Sequence, residues 1–552
     1  MISEDCLDTA PLALAKTARA IVFDSVSPEP ANRRRRYALL AGALILLVLL
    51  VGFWPAFETA GSPMDEGMTL VYPEMLLHGK LPYRDFETFY GPANPAALAA
   101  AFATFGTNIF VERAVGLLYR LLILLAVFAI TRRWGNTIGL GCLALTGCLL
   151  LGTYLPAYAW LGAMACALWS LSLGSRTDSS ARCFLGGVLA GCALLFRPDI
   201  GPAMIIATLP LFLGMTRPMR WKYLWGAGLG LLPLGVLTLF TGWRPVVDNL
   251  FLIPVLHAGP ARHLPLFFGG ACLVILFGGH LLACLVNVVA GVVAMRSQRR
   301  DGRGRLLLAV ALFGLGLTHQ AANRLDSLHL LFVAFISFGI LPLSLFLLGT
   351  RLCKATPGKR DAVFAIVAVV AILQTLSPEL TIMVRSSFEG ALHADANATF
   401  VGRGGRSFPF NSFKVASTVS MVLKDLDALS QPGERLFVGP ADLRRTNYND
   451  TYLYHLIPKL TPATYFLEMN PLSANRPGSR LASDVESADW LVLNRFWDPW
   501  GEPNRSMDYA SNAPNAVVQR DFVRRAEFNT FVIWQRKIPR PHPHQAPGMA
   551  QF

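Results

Sequence analysis

From Tyr37 to Leu376 the chain repeats one pattern: a mostly apolar stretch, a short polar or basic connection, then another apolar stretch. This pattern leaves few folds open. A backbone in lipid must satisfy its own hydrogen bonds, and an apolar stretch of about 20 residues does so as a spanning helix. The segments 37–54, 112–131, 137–153, 157–174, 183–197, 200–215, 222–241, 265–294, 305–321, 327–349 and 361–379 read as about eleven such spans. Composition agrees, with 15% charged residues where a soluble domain carries nearer a quarter. It excludes a disordered chain, a collagen, a coiled coil and a small disulfide scaffold. The stretch 91–106 is also apolar, but its 16 residues reach only about 24 Å as a helix. It opens with Gly91-Pro92 and Asn94-Pro95 and reads as an interfacial or re-entrant helix.

The net charge of +14 would suggest nucleic acid in a soluble protein. Here basic cytoplasmic loops account for it, and no nucleic-acid partner is expected. With the N-terminus inside, the cytoplasmic segments hold 22 basic residues, among them Arg33 to Arg36, Arg132, Arg133, Arg299, Arg300 and Lys354. The short outer loops hold six: Lys80, Arg84, Arg197, Arg244, Arg262 and Arg324. Counting 91–106 as a twelfth span would invert every later loop and destroy this asymmetry. The expected protein is thus a multi-pass protein of the cell (inner) membrane, with residues 1–36 cytoplasmic and the C-terminus outside. Arg33–Arg36 before the first apolar stretch reads as a signal anchor, and the basic runs suit contacts with membrane lipids.

After about residue 380 the composition becomes that of a soluble domain. The expected division is a membrane domain over 37–380 and an extracytoplasmic α/β domain over 381–552. Residues 411–429 have helical periodicity, and Arg435-Leu-Phe-Val-Gly, Asp489-Trp-Leu-Val-Leu and Thr530-Phe-Val-Ile-Trp read as buried strands. The tail from Pro539 is Pro-rich and reads as loose. None of the nine cysteines falls in this domain, and the chain has no Cys-x-x-Cys, so neither disulfides there nor a structural zinc are expected.

The longest loop of the membrane domain, 55–111, follows the first span. It holds Met64-Asp65-Glu66-Gly67, then Gly79-Lys80-Leu81-Pro82-Tyr83-Arg84-Asp85-Phe86, then Phe89-Tyr90-Gly91-Pro92. An acidic pair followed by basic and aromatic residues suits the transfer of a sugar from a lipid phosphate to a hydroxyl. A carboxylate takes the hydroxyl proton, cations or a metal hold the departing phosphate, and aromatic faces stack on sugar rings. The acidic pair suits an ordinary solvated helix N-terminus equally well.

The first span, the Asp65-Glu66-Gly67 loop and the Gly79–Phe86 stretch resemble the GT-C glycosyltransferases, multi-span enzymes that take sugars from polyprenyl-phosphate carriers. These include the protein O-mannosyltransferases, lipid A aminoarabinose transferases and mycobacterial arabinofuranosyltransferases. Phe105-Gly106 before Glu112-Arg113 resembles their junction into the second span. The resemblance covers the whole architecture, with motif-level likeness confined to roughly 60–120. It implies Asp65 as general base, with Glu66 assisting or binding a metal. The loop Tyr154-Leu-Pro-Ala-Tyr158 departs from the pattern: many relatives carry acidic residues there and this chain has none. A divalent metal is therefore not supported, and no other cofactor is called for.

Further residues converge on the same side. Arg113 and Arg120 lie seven apart on the second span, hence on one face; a phosphate site or structural pairing suits either. Arg197, in Phe196-Arg197-Pro198-Asp199, either grips phosphate or caps its turn with Asp199. His319, Arg324, Asp326 and His329 make a denser polar cluster than a short connection requires. His257 and His263 suit an interfacial loop better than a metal site, and His280 and Asn287 suit hydrogen bonds between helices.

The expected function is an inverting glycosyltransferase that moves a monosaccharide from a polyprenyl-phosphate carrier to a hydroxyl of a lipid, glycan or protein acceptor. Asp65 and Glu66 would be catalytic. Lys80, Arg84, Arg113, Arg120, Arg197 and Arg324 would bind the donor phosphate, and Tyr83, Asp85, Tyr90, Asp326 and His329 the sugar or acceptor. A transporter or lipid flippase, or a non-catalytic scaffold, is the alternative. The chain shows neither the internal repeat nor the midplane charges usual in transporters.

Overall fold

The computed structural model describes residues 31–297, 302–353, 358–393, 398–508 and 510–539. The expectations for the N-terminal residues 1–30, for Arg299, Arg300 and Lys354, and for the tail from 540 onward lie outside these residues.

Every segment read as a span coincides with a helix. They are α1 (Ala31–Phe53), α4 (Ile109–Thr131), α5 (Asn136–Leu151), α6 (Ala159–Gly174), α7 (Ser180–Phe196), α8 (Gly201–Phe212), α9 (Arg217–Thr241), α10 (Ala271–Ser297), α11 (Arg303–Gly316), α12 (Ser327–Leu352) and α13 (Lys359–Leu376). Between α1 and α4 lie α2 (Asp65–Leu77) and the short apolar α3 (Ala93–Phe105). The count of eleven spans is not confirmed, however. Among the described residues six helices are long and apolar enough to cross a membrane, seven if α13 and the following α14 (Pro378–His393), bent by 104°, count as one. The four helices α5 to α8 have 16, 16, 17 and 12 residues. A 16-residue helix reaches about 24 Å against a hydrocarbon core of about 30 Å. The segments read from the sequence are themselves short, 15 to 18 residues for these four, so each sits below the length a straight span needs.

The core of the helical region centres on α12, 78% of whose apolar window is buried. Phe335, Phe338 and Leu343 belong to one apolar cluster with Ile123 and Leu124 of α4 and Leu149 and Leu150 of α5. Helices α9 and α10 bury only 17% and 22% and turn apolar side chains outward, toward lipid.

The C-terminal unit is α/β, as its patterning indicates. A hairpin, β1 (Thr399–Arg403) and β2 (Arg406–Phe410), turns through Gly404 and Gly405 at positive φ. Helix α15 (Phe413–Leu429) follows, then a five-stranded sheet of order β4-β3-β5-β7-β6. Here β3 (Arg435–Pro440) pairs in parallel with β4 (Thr461–Pro462) and β5 (Trp490–Asn494). Strand β7 (Phe531–Arg536) runs antiparallel between β5 and β6 (Phe522–Phe528). Alternation sorts the side chains: Leu436, Val438, Trp490 and Val492 join α15, the hairpin and α2, while Phe437, Leu491 and Leu493 pack against Leu481, Val485 and Val517. One apolar cluster thus contains Met68, Leu70, Val71 and Tyr72 of α2 together with the sheet. Helix α2 is the bolt between the two halves of the molecule. Its Glu74 receives Arg406 at 2.5 Å and contacts His455 Nδ1 at 2.7 Å, both from the C-terminal unit.

Candidate active site

The Asp-Glu-Gly sequence opens α2, where successive residues point about 100° apart, and the three side-chain positions have three different fates. Gly67 lies against the C-terminal unit: a Cβ there would stand 2.5 Å from the backbone N of Tyr452, so only glycine allows the approach. Glu66 is fully buried and takes two hydrogen bonds from Arg113, at 2.7 and 2.9 Å. Arg113 spends its remaining reach on the carbonyls of Ala56, Phe57 and Thr59, at 3.1, 2.8 and 3.0 Å. Asp65 alone faces a cavity. Its carboxylate accepts from Ser62 Oγ at 3.1 Å. Burial pushes it above the ordinary carboxylate range, although the Ser62 hydrogen bond and the charges of His329 and Arg324 pull the other way.

The cavity, about 520 Å³, lies between the helical region and the C-terminal unit. Its wall includes Asp65, Tyr90, Tyr158, Trp160, Arg197, Arg262, Gln320, Arg324, Asp326 and His329 from the first, and Asn447, Tyr448, Glu468, Asn470 and Glu502 from the second. Arg197 ends α7, lies over the rings of Tyr90 and Trp160 at 5.0 and 5.1 Å, and pairs through two hydrogen bonds with Asp199. Gln320 holds the same Asp199 at 2.7 Å. Arg324 donates to Glu502 at 3.1 and 2.6 Å and to the Tyr448 hydroxyl at 3.1 Å. Asp326 caps α12, accepting from the His329 backbone N–H at 2.9 Å and meeting its ring Nδ1 at 2.8 Å. Burial pushes the Asp326 carboxyl up, but His329 and the Arg324 charge outweigh it and hold it below the usual range.

Of the residues singled out in the sequence, Asp65, Tyr90, Arg197, Arg324, Asp326 and His329 therefore share one cavity. The others do not line it. Glu66 and Arg113 form a buried pair, 0% and 1% exposed. Arg120 is fully buried in α4 and donates to the carbonyls of Gly116, Thr153, Tyr154, Leu155 and Pro156, so it closes the turn between α5 and α6. Lys80 and Arg84 lie on an exposed turn, with Arg84 paired to its neighbour Asp85 at 3.0 Å. Asp85 also accepts from the Leu81 N–H at 2.7 Å, closing that turn. Tyr83 is buried at a φ of 68°, packs with Val246 and Leu250, and donates to the Tyr90 carbonyl at 2.8 Å. These contacts build the 79–86 loop, away from the wall of the cavity.

The sequence reading missed Arg262, Tyr448, Glu468, Asn470 and Glu502. Nothing in their local sequence marks them: four belong to a domain of ordinary soluble composition, and only the fold brings it over Asp65. As for a metal, the second acidic residue of the motif is committed to Arg113. Among the described residues no group of three or more His, Cys, Asp or Glu is arranged to hold an ion.

No family model matches this sequence, and no curated protein matches it. Solved structures do. The chain is similar to ArnT from Cupriavidus metallidurans bound to undecaprenyl phosphate, with a TM-score of 0.50, 14% identity, and 89% of this chain and 97% of that one covered. The apo state of the same ArnT gives 0.44 with the same identity and coverage. The arabinofuranosyltransferase AftD from Mycobacteria gives 0.40 at 16% identity, over 91% of this chain and 41% of that one. At such identities the likeness is one of fold. The chain is a polytopic helical membrane protein that shares its fold with ArnT and carries a small C-terminal sheet domain.

Proposed function

We propose that this protein is an inverting glycosyltransferase, using a polyprenyl-phosphate-linked sugar at the outer face of the cell membrane. The observation that carries the proposal is the company Asp65 keeps. A carboxylate with its proton affinity raised by burial shares one cavity with three arginines, Arg197, Arg262 and Arg324, set in its wall. Asp65 removes the proton of the acceptor hydroxyl as its oxygen attacks the anomeric carbon from the side opposite the phosphate. The new carbon–oxygen bond forms while the bond to the phosphate oxygen breaks, and the electron pair leaves with the phosphate. Arg197 and Arg324 stabilise that leaving charge, with Arg324 sharing or exchanging its hydrogen bonds to Glu502. Attack from the opposite face inverts the anomeric centre. Tyr90 offers a ring to the sugar, and Asp326 with His329 a polar edge.

The positive-inside asymmetry supports a cytoplasmic N-terminus and an external C-terminal domain. The lipid carrier is inferred from chemistry together with the undecaprenyl phosphate bound by ArnT. The acceptor is a hydroxyl of a lipid, glycan or protein. Purified protein in nanodiscs, given a panel of polyprenyl-phosphate sugars and a hydroxyl acceptor, should release free polyprenyl phosphate, followed by mass spectrometry. Neither release nor binding of any carrier would turn the proposal toward a transporter or a scaffold.

A further inference from the structure

Ser62 does not line the cavity, yet it holds the carboxylate that does. Its Oγ donates to Asp65 Oδ2 at 3.1 Å and accepts from the Asp65 backbone N–H at 3.4 Å. An ionised carboxylate only accepts, so the hydroxyl proton belongs to the contact with Oδ2. The two bonds tie the Asp65 side chain to its own backbone through one serine. Among the described residues no other side chain hydrogen-bonds this carboxylate, so Oδ1 is the oxygen left for an acceptor.

The C-terminal unit keeps Ser62 in place. On one side of it the Gly61 N–H donates to the Pro409 carbonyl of β2 at 3.0 Å. On the other, the Tyr452 N–H donates to the Pro63 carbonyl at 3.3 Å. Both anchors belong to one packed cluster, in which Phe408 of β2 stacks on Tyr452 with ring centroids 4.7 Å apart. Gly61 leaves no slack: a Cβ there would stand 2.5 Å from Glu66 Oε2 and 2.6 Å from the Phe408 ring. The Pro63 ring stiffens the backbone on the other side. Arg113 fastens the segment before Gly61, through the carbonyls of Ala56, Phe57 and Thr59.

Other charged and titratable groups face Asp65 around the cavity. Arg324, Asp326 and His329 come from the start of α12 and the turn before it, Tyr90 from the turn before α3, Tyr158 from the turn before α6, and Tyr448 and Glu468 from the C-terminal unit. Burial is the largest influence on the Asp65 carboxyl and raises it; the Ser62 hydrogen bond is the largest that lowers it, ahead of His329 and Arg324. We propose that Ser62 is the positioning residue of Asp65: held by the C-terminal unit, it fixes Oδ2 so that Oδ1 is presented to the acceptor hydroxyl. This rests on the glycosyltransferase reading and deepens it, because the C-terminal domain then sets the aim of the base as well as walling the cavity.

The test follows release of free polyprenyl phosphate against pH for the full chain in nanodiscs, with donor affinity measured alongside. A hydrogen bond to the ionised carboxylate favours that form. Ser62→Ala should therefore move the acid limb of turnover up by about one pH unit, the scale of one hydrogen bond to a charged group, and leave donor affinity unchanged. Ser62→Thr keeps the hydroxyl and should restore the wild-type limb. A serine that merely caps α2 predicts something else: a lower melting temperature in Ser62→Ala with the limb unmoved. That outcome, with Asp65→Asn inactive, overturns the inference and leaves the glycosyltransferase reading standing. Release from no donor by the wild type, or wild-type release by Asp65→Asn, removes the base and its positioning residue together. Should Ser62→Ala fail to fold, Ser62→Gly decides, since glycine is tolerated at helix caps and has no hydroxyl to donate: a raised limb supports the inference and a wild-type limb contradicts it.

Discussion

Two arginine–glutamate pairs hold this molecule together, and they look alike until their surroundings are compared. Arg113 grips Glu66 with two hydrogen bonds, and Arg324 grips Glu502 in the same way. The side chains of the first pair are 1% and 0% exposed, and three backbone carbonyls take up what Arg113 has left. In the second pair Arg324 is 22% exposed and both partners line the cavity. One pair is a fastener inside the protein. The other is a fastener within reach of a ligand, joining the helical region to the C-terminal domain. Pairing alone therefore says little about function; what decides is whether a ligand can reach the pair.

The largest effect should come from breaking the sealed pair. Arg113→Ala leaves Glu66 as an uncompensated buried charge and should cost about 3–5 kcal/mol of stability, read as a large drop in melting temperature in detergent. An unchanged melting temperature would erase the distinction between the pairs. Arg324→Ala should leave a folded protein and weaken binding of a polyprenyl-phosphate sugar by about 10- to 100-fold. Equal affinity in the variant would remove Arg324 from the phosphate site. The pH profile of turnover sharpens the same contrast. Because Asp65 acts deprotonated and burial raises its pKa, the rate should be full above that raised value and fall on acidification through it, by about tenfold per unit well below it. A profile flat down to the ordinary carboxylate range would mean that Asp65 is not the base. The smallest effect belongs to the exposed Arg84–Asp85 pair: Arg84→Ala should change stability by no more than about 1 kcal/mol and leave donor binding as it was. A large loss of binding there would return the 79–86 turn to the site.

The pattern of apolar stretches carried the helical architecture, and three strands of the sheet were legible from short β-branched and aromatic runs between turn residues. The span count was less so, because four of the apolar segments are only 15 to 18 residues long, below the roughly 20 a straight span needs. Sequence placed Asp65, Arg197 and Arg324 on the same side of the membrane domain, and the structure brings them to one cavity. Adjacency in sequence hides the 100° turn that sends Asp65 to the cavity and its neighbour Glu66 to Arg113. Lys80 and Arg84 looked functional beside Tyr83, yet their turn closes on itself through Asp85. Glu468 and Glu502 are some 400 residues from Asp65 in sequence, and only the packing of α2 against the sheet brings them to it.

The most direct test of the account compares wild type and Asp65→Asn in nanodiscs, measuring both donor binding and release of free polyprenyl phosphate. The account predicts a folded variant that binds the donor as well as the wild type and turns over at least ~100-fold more slowly. Turnover within a few fold of the wild type, in a variant that binds normally, would contradict it.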